Sequence, residues 1–180
     1  MPTHVALLRG INIGGRNRVA MADLRETVTS LGHRDVATYI QSGNVVFSAA
    51  GEGDLTGPLE RAIEQRLGVA ARVIVLSRAE LEAVARASPY AGEPNPKAVH
   101  AVFLGEEPDR GLHETVAAAV EQAAAKGARD DARLIGRTLY LHTPDGYGRS
   151  DLAARIMRTT STGTARNWAT VTKLLAMLEG

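Results

Sequence analysis

The order in which strand-like and helix-like segments follow one another constrains the fold of this chain more than any other feature. Short apolar runs typical of strands occur in the first half at 5–8, 36–40, 45–47 and 72–76. Apolar residues at helical spacing predict helices at about 21–31 and 59–67, so the order is β-α-β-β-α-β. This is the split pattern of ferredoxin-like domains.

The same order begins again after a proline-containing stretch at 88–97, which we interpret as a connection. The pattern then predicts a strand at 99–104, a helix at 112–123, strands at 132–135 and 138–141, and helices at about 151–157 and 166–178. We therefore predict an α+β fold with two ferredoxin-like halves of βαββα type in tandem, at 1–88 and 89–180. Each half should carry helices on one face of its sheet, and the second half should lack its last strand.

Local signals mark several turns and helix ends. Ser77 followed by Glu80 is a capping box and predicts that a helix begins there. The sequences around Ser42-Gly43 and Gly136-Arg137 predict two-residue hairpin turns, with Gly43 in a backbone conformation that is costly for other residues.

Composition excludes several classes of site. The chain contains no cysteine, so disulfides, thiol nucleophiles and cysteine-bound zinc are ruled out. Its five histidines are scattered without metal-binding spacing, and we predict neither a metal nor a cofactor. A net charge of +1 argues against a strongly basic nucleic-acid binder and against a protein that coats acidic membranes. The chain shows neither a long apolar run nor a signal peptide, so we expect a cytoplasmic protein without a membrane partner.

The first candidate site is the segment at 9–18, between a predicted strand and a predicted helix. Its glycines let backbone N–H groups converge, and three arginines flank them, which favours an anion. The segment matches neither a P-loop nor the dinucleotide-binding glycine motif. The alternative is that the glycines only permit a tight connection and that the arginines are solvated.

Two further candidates lie near the C-terminus. Ser150 is expected to cap a helix beside Arg149, so free N–H groups at that helix start favour an anion. If 166–178 is helical, Arg166, Thr170 and Lys173 share one face, which is either a ligand surface or a solvated face. An ordinary capped helix is the alternative for the first of these two motifs.

The sequence argues against RNA binding through the stacking of bases on the sheet. RNA-recognition domains share the βαββαβ order and stack bases on aromatic residues of a signature strand. The equivalent strand at 44–48 has one aromatic residue and lacks the basic-Gly-aromatic start, and aromatic residues are only 4% of the chain.

Three motifs follow one another along the chain: ALLRGINIGG at 6–15, TYIQSGNVVF at 38–47 and RNWATVTKL at 166–174. Together they resemble the bacterial DUF1697 family of unknown function, as does GRSDL at 148–152. Arg16 and Ala20 depart from the lysine and proline that are more usual in the family. The resemblance covers essentially the whole chain and implies an α+β architecture, but it implies no established activity.

Our leading hypothesis is a module that binds an anionic ligand, meaning a nucleotide, a nucleic-acid backbone or a phosphorylated metabolite. An enzyme acting on a phosphorylated small molecule and a protein-protein interaction module are the alternatives, and the sequence predicts no oligomeric state. We expect the N-terminal and C-terminal motifs to converge on one surface, with Arg9 or Arg16 near Arg149, Arg166 or Lys173. The candidate ligand-binding residues are Arg9, Asn12, Gly14, Gly15, Arg16, Gln41, Asn44, Arg149, Ser150, Arg166, Asn167 and Lys173.

Overall fold

Two similar α+β units make up the chain in the computed structural model, which describes residues 1–180. The first unit comprises Met1–Ala83 with Lys173–Gly180, and the second comprises Val84–Thr172. Each contains a four-stranded antiparallel sheet, so the predicted fold of two ferredoxin-like halves is confirmed. No helix of the chain is both long enough and apolar enough to cross a membrane.

The sheet of the first unit has the order β2-β3-β1-β4. Its elements are β1 (His4–Arg9), α1 (Met21–Ser30), β2 (Arg34–Tyr39), β3 (Asn44–Ser48), α2 (Thr56–Leu67) and β4 (Arg72–Ser77). The central strand β1 pairs with both β3 and β4, because two crossover connections through helices place those strands on either side of it.

One face of this sheet forms the core with its helices. Ala6 and Leu8 alternate along β1 and pack with Leu24 of α1 and Ile63 of α2. Val5 and Leu7, which alternate with them, are buried as well. The near-continuous apolar run at 5–8 follows from this, since neither face of β1 meets solvent.

The second unit repeats the arrangement with the sheet order β6-β7-β5-β8. Its elements are β5 (Val99–Phe103), α4 (Arg110–Ala125), β6 (Asp131–Ile135), β7 (Thr138–His142), α5 (Asp151–Thr159) and β8 (Thr164–Asn167). Two further helices are α3 (Arg78–Ala87) and α6 (Trp168–Glu179). The helical face of this sheet packs Val102 and Leu139 against Val116 and Ile156.

The strand β8 corrects the sequence prediction in two respects. The second half does have its last strand, and the final helix begins at Trp168 rather than near Arg166. The sequence Thr-Ala-Arg-Asn carries no apolar alternation, so its strand character comes from pairing with β5, where Arg166 lies opposite Ala101.

The local signals for turns and helix ends are mostly confirmed. The backbone N–H of Ser77 donates to Glu80 Oε2 at 2.7 Å and that of Glu80 donates to Ser77 Oγ at 3.2 Å, which completes the predicted capping box. Gly136-Arg137 is the predicted two-residue turn, since Ile135 pairs with Thr138. The two-residue turn at Ser42-Gly43 is wrong, because Tyr39 pairs with Asn44 and the turn spans 40–43.

The units also differ from the predicted halves at 1–88 and 89–180. The first boundary falls within α3, after Ala83, and the last eight residues of the chain belong to the first unit. There Nη1 of Arg78 donates to the carbonyl oxygen of Leu178 at 3.3 Å.

Candidate functional site

The loop after β1 is a small hairpin with glycines at its tip. Ile13 and Arg16 form an isolated antiparallel bridge through two backbone hydrogen bonds of 3.2 and 2.9 Å. Gly14 and Gly15 connect them with φ of 55° and 78°, the combination that a type I′ turn requires. Both glycines are exposed at the tip of the hairpin. The convergence of their N–H groups on one anion stays a prediction.

Asn12 holds this hairpin in place. Its Nδ2 donates to the carbonyl oxygens of Val19, at 3.0 Å, and Gln41, at 2.8 Å, and its Oδ1 accepts from the N–H of Val19 at 2.8 Å. Asn12 itself has φ of 52°, a conformation that asparagine tolerates better than most residues. The candidate residue Asn12 is therefore a positioning residue, which ties the loop at 10–19 to the turn at 40–43.

A shallow hollow of about 460 Å³ opens beside this junction. The exposed Arg18 lines the hollow, and the exposed Arg16 directly follows Gly15, which lines it as well. A Cβ built on Gly15 would lie 3.7 Å from Nη2 of Arg18, so the guanidinium passes close to the glycine backbone. The guanidinium groups of Arg16 and Arg18 take part in no hydrogen bond or ion pair. The lining residues are Asn12, Gly15, Arg18, Val19, Ala20 and Gln41.

The start of α1 adds to the positive potential of the hollow. Its N-cap position, Ala20, lines the hollow and supplies no side-chain hydrogen bond to the first turn. The first backbone N–H groups of the helix therefore carry uncompensated partial positive charge. Asp23 is the one carboxylate of that first turn. The guanidinium group of Arg18 and the helix start outweigh this carboxylate, so the local charge at the hollow is positive.

The other candidate residues of the first unit differ in burial and in their partners. Arg9 ends β1 opposite Arg72 and is partly buried. Asn44 is fully buried at the start of β3, and its Nδ2 donates to the carbonyl oxygen of Tyr39 at 2.9 Å and to Ser42 Oγ at 3.0 Å. Gln41 lines the hollow, whereas Lys173 is exposed on α6. Asn44 thus shapes the turn at 40–43.

The segment around Ser150 does cap its helix. The N–H of Ala153 donates to Ser150 Oγ at 2.9 Å, as expected for an N-cap. The same hydroxyl donates to Asp130 Oδ2 at 2.6 Å. A carboxylate therefore already lies at the start of α5, which disfavours a second anion there, although Arg149 is exposed beside it.

The third candidate is corrected by the strand β8. Arg166 does not share a helix face with Thr170 and Lys173, because it belongs to the strand and is only 7% exposed. Its Nη1 donates to Thr164 Oγ1 at 2.7 Å and to the carbonyl oxygen of Ala165 at 2.9 Å, and burial lowers its pKa to about 10. Asn167 caps α6 by accepting from the N–H of Thr170 at 2.9 Å. Both residues therefore have structural roles, and the expected convergence of the two arginine groups stays a prediction.

Sequence reasoning counted Arg18 among the three arginines of the segment 9–18 but left it out of the candidate ligand-binding residues. It also missed a polar cluster in the second unit. There Tyr90 donates from its hydroxyl to Asp131 Oδ2 at 2.8 Å, and its ring stacks on His142 with centroids 5.1 Å apart. His142 Nε2 lies 2.6 Å from Glu93 Oε2.

This cluster attaches the predicted connection at 88–97 to the strands β6 and β7. Burial, reinforced by the hydrogen bond to Asp131, raises the pKa of the Tyr90 hydroxyl, so it stays a donor. The N–H of Asn95 and then His142 hold the pKa of Glu93 below its ordinary value. No pattern in the sequence indicates that these distant residues contact one another. The structure contains no group of three or more His, Cys, Asp or Glu side chains that could hold a metal ion.

Comparisons with known proteins agree with this architecture. The model of a family described as "Protein of unknown function (DUF1697)" matches residues 1–140. The solved structure of a conserved bacterial protein from Streptococcus pneumoniae is similar over 98% of both chains, with a TM-score of 0.74 and 24% sequence identity. At that identity the likeness shows the fold alone. No curated protein matches the chain.

Proposed function

Since the chain belongs to the DUF1697 family of unknown function, we propose its function from the site itself: it binds an anionic ligand in the hollow beside the N-terminal hairpin. The ligand is a nucleotide, a nucleic-acid backbone or a phosphorylated metabolite, all of which present phosphate oxygens. A cytoplasmic location and a bacterial source belong to the same proposal.

One observation carries this proposal. The guanidinium groups of Arg16 and Arg18 are exposed and unpaired; Arg18 lines a hollow beside the uncapped start of α1, and Arg16 follows Gly15 of the same lining. Guanidinium groups match phosphate oxygens through several N–H donors, and a helix start offers backbone N–H groups to the same anion. Arg16 and Arg18 are two residues apart in one loop, and repulsion between like charges is offset when an anion binds to both.

The loop is preorganised for such a ligand. Asn12 and the bridge between Ile13 and Arg16 fix the backbone through hydrogen bonds that exist without any ligand. Side chains projecting from a fixed backbone lose less conformational freedom on binding than those of a mobile loop.

Titration of the protein with inorganic pyrophosphate at low ionic strength tests the proposal. We expect Arg16→Gln and Arg18→Gln each to weaken binding about tenfold, because each removes charge-assisted hydrogen bonds to the anion. Affinity should also fall as salt is raised.

Arg34→Gln is the matched control. Arg34 is an exposed arginine of the same sheet, but it starts β2 opposite Ser48, at the end of the sheet away from Arg9 and the hairpin. If pyrophosphate does not bind, or if all three variants bind it equally, the proposed site is wrong.

A further inference from the structure

Two exposed isoleucines lie in the two loops that border the proposed anion site, each next in sequence to a residue that lines the hollow. Ile13, at the base of the hairpin tip, is 63% exposed, and Ile40, in the turn at 40–43, is 50% exposed. We call them the isoleucine pair. Isolated apolar residues on a surface are ordinary, but these two belong to adjoining loops.

The two loops are joined directly next to the isoleucine pair. Asn12, which precedes Ile13, donates from its Nδ2 to the carbonyl oxygen of Gln41, which follows Ile40, at 2.8 Å. The positions of both isoleucines are therefore set by the same hydrogen bond that shapes the hollow.

Ile40 is also held in an unfavourable backbone conformation. Its φ of 50° lies in the left-handed region, which β-branched residues avoid because Cβ approaches the backbone. Asparagine or glycine would adopt this conformation at lower cost. An isoleucine here carries both backbone strain and exposed apolar surface, so its side chain serves something other than local stability.

We propose that the isoleucine pair contacts the base of a nucleotide whose phosphates lie at Arg16 and Arg18. This rests on the proposed function and narrows its ligand to an anion that also carries a flat apolar group. Inorganic phosphates and sugar phosphates lack such a group, whereas the faces of a nucleobase pack well against aliphatic side chains.

The arrangement separates the two halves of such a ligand. Arg16 and Arg18 bind the phosphates of the nucleotide. Ile13 and Ile40 lie one on each of the two loops that border the hollow. Recognition of the base therefore rests on apolar contact and excluded water rather than on hydrogen bonds, so it discriminates weakly among bases.

A comparison of ATP with inorganic tripolyphosphate, both free of metal ions, isolates the contribution of the base. We expect ATP to bind at least about tenfold more tightly than tripolyphosphate, because only ATP buries apolar surface. Ile13→Ser and Ile40→Asn should each remove most of this difference while leaving the affinity for tripolyphosphate unchanged. Ile135→Ser, at a 42% exposed isoleucine of the second unit, is the matched control.

Ile40→Asn gives a second readout that a merely structural isoleucine would not produce. Asparagine relieves the backbone strain, so the melting temperature should stay the same or rise while ATP binding weakens about tenfold. A variant that keeps full ATP affinity overturns the inference.

The remaining outcomes separate the inference from the proposed function. Equal affinity for ATP and tripolyphosphate overturns the nucleotide but leaves the anion site standing. Absence of binding by ATP, tripolyphosphate and a short adenine oligonucleotide overturns both. Binding of the oligonucleotide alone, weakened by the isoleucine variants, supports the inference and identifies the nucleotide as part of a strand.

Discussion

At the scale of single residues, Gly43 occupies a position that has no room for a Cβ atom. Its φ is 87°, and an added Cβ would lie 2.7 Å from Ile11 Cδ1 and 2.8 Å from Leu8 Cβ. Its carbonyl oxygen also accepts from the N–H of Leu8 at 2.8 Å, which fixes the backbone. Both backbone conformation and lack of space therefore require glycine.

We predict that Gly43→Ala lowers the free energy of unfolding by about 2–4 kcal/mol, from backbone strain and overpacking together. Gly136→Ala is the control, because Gly136 also has positive φ, of 57°, but no atom lies within 4 Å of its added Cβ. It should cost only about 1 kcal/mol. Urea denaturation measures both unfolding free energies. Equal losses for the two variants would show that the lack of space around Gly43 does not contribute.

A partly buried histidine gives stability a defined pH dependence. His100 stacks on Tyr147 with centroids 4.0 Å apart, its Nδ1 is buried without a partner, and burial lowers its pKa to about 4. The unfolded chain binds this proton near pH 6.5. The stability contributed by the neutral ring is therefore complete above about pH 6.5 and is lost as the pH falls towards 4.

We predict that the wild-type protein loses at most about 3 kcal/mol of unfolding free energy over this window through His100. His100→Phe should flatten the pH profile between 6.5 and 4 relative to the wild type. His113→Gln, at an exposed histidine of α4, should leave the profile unchanged. Unfolding by urea at several pH values checks this, and parallel profiles for wild type and His100→Phe would contradict it.

At the scale of elements, the helix α5 depends on one hydroxyl at its start. Ser150 accepts from the N–H of Ala153 and donates to Asp130, so its removal leaves both groups without that partner. We predict that Ser150→Ala costs about 1–2 kcal/mol of stability. Ser161→Ala, at an exposed loop serine, should be neutral within about 0.5 kcal/mol. The denaturant midpoints of the two variants test this prediction. If Ser150→Ala unfolds at the same midpoint as the wild type, the cap does not stabilise the protein.

At the scale of the whole molecule, the two repeats are not two separable segments of chain. The C-terminal residues Lys173–Gly180 belong to the first unit, and Leu174 and Leu178 among them are 1% and 0% exposed. A fragment of residues 1–88 lacks these two buried side chains.

We predict that the fragment 1–88 unfolds without a cooperative transition or aggregates, whereas the full chain unfolds cooperatively. Circular dichroism during urea titration distinguishes the two. The double variant Leu174→Ala and Leu178→Ala of the full chain should lose several kcal/mol, about 2–5 for each leucine. A fragment as stable as the full chain would refute the prediction.

Sequence by itself determined the features that depend on near neighbours in the chain. The β-α-β-β-α order, the capping box of Ser77 and Glu80 and the turn at Gly136-Arg137 follow from periodicity, a cap three residues away and the needs of a tight turn. The glycines of the hairpin tip were recognisable for the same reason, because their conformation is local.

Only the tertiary structure decided the features that depend on distant partners. Strand β8 is a strand because β5 supplies its hydrogen bonds, and that pairing buries Arg166, which periodicity had placed on a helix. Asn12 is a positioning residue because its side chain donates a hydrogen bond to the carbonyl oxygen of Gln41, 29 residues away. The strain at Ile40 likewise arises from the four-residue turn that the pairing of Tyr39 with Asn44 imposes. Sequence periodicity does not reveal which distant residues form a hydrogen bond, because the identity of each partner alone does not specify the other.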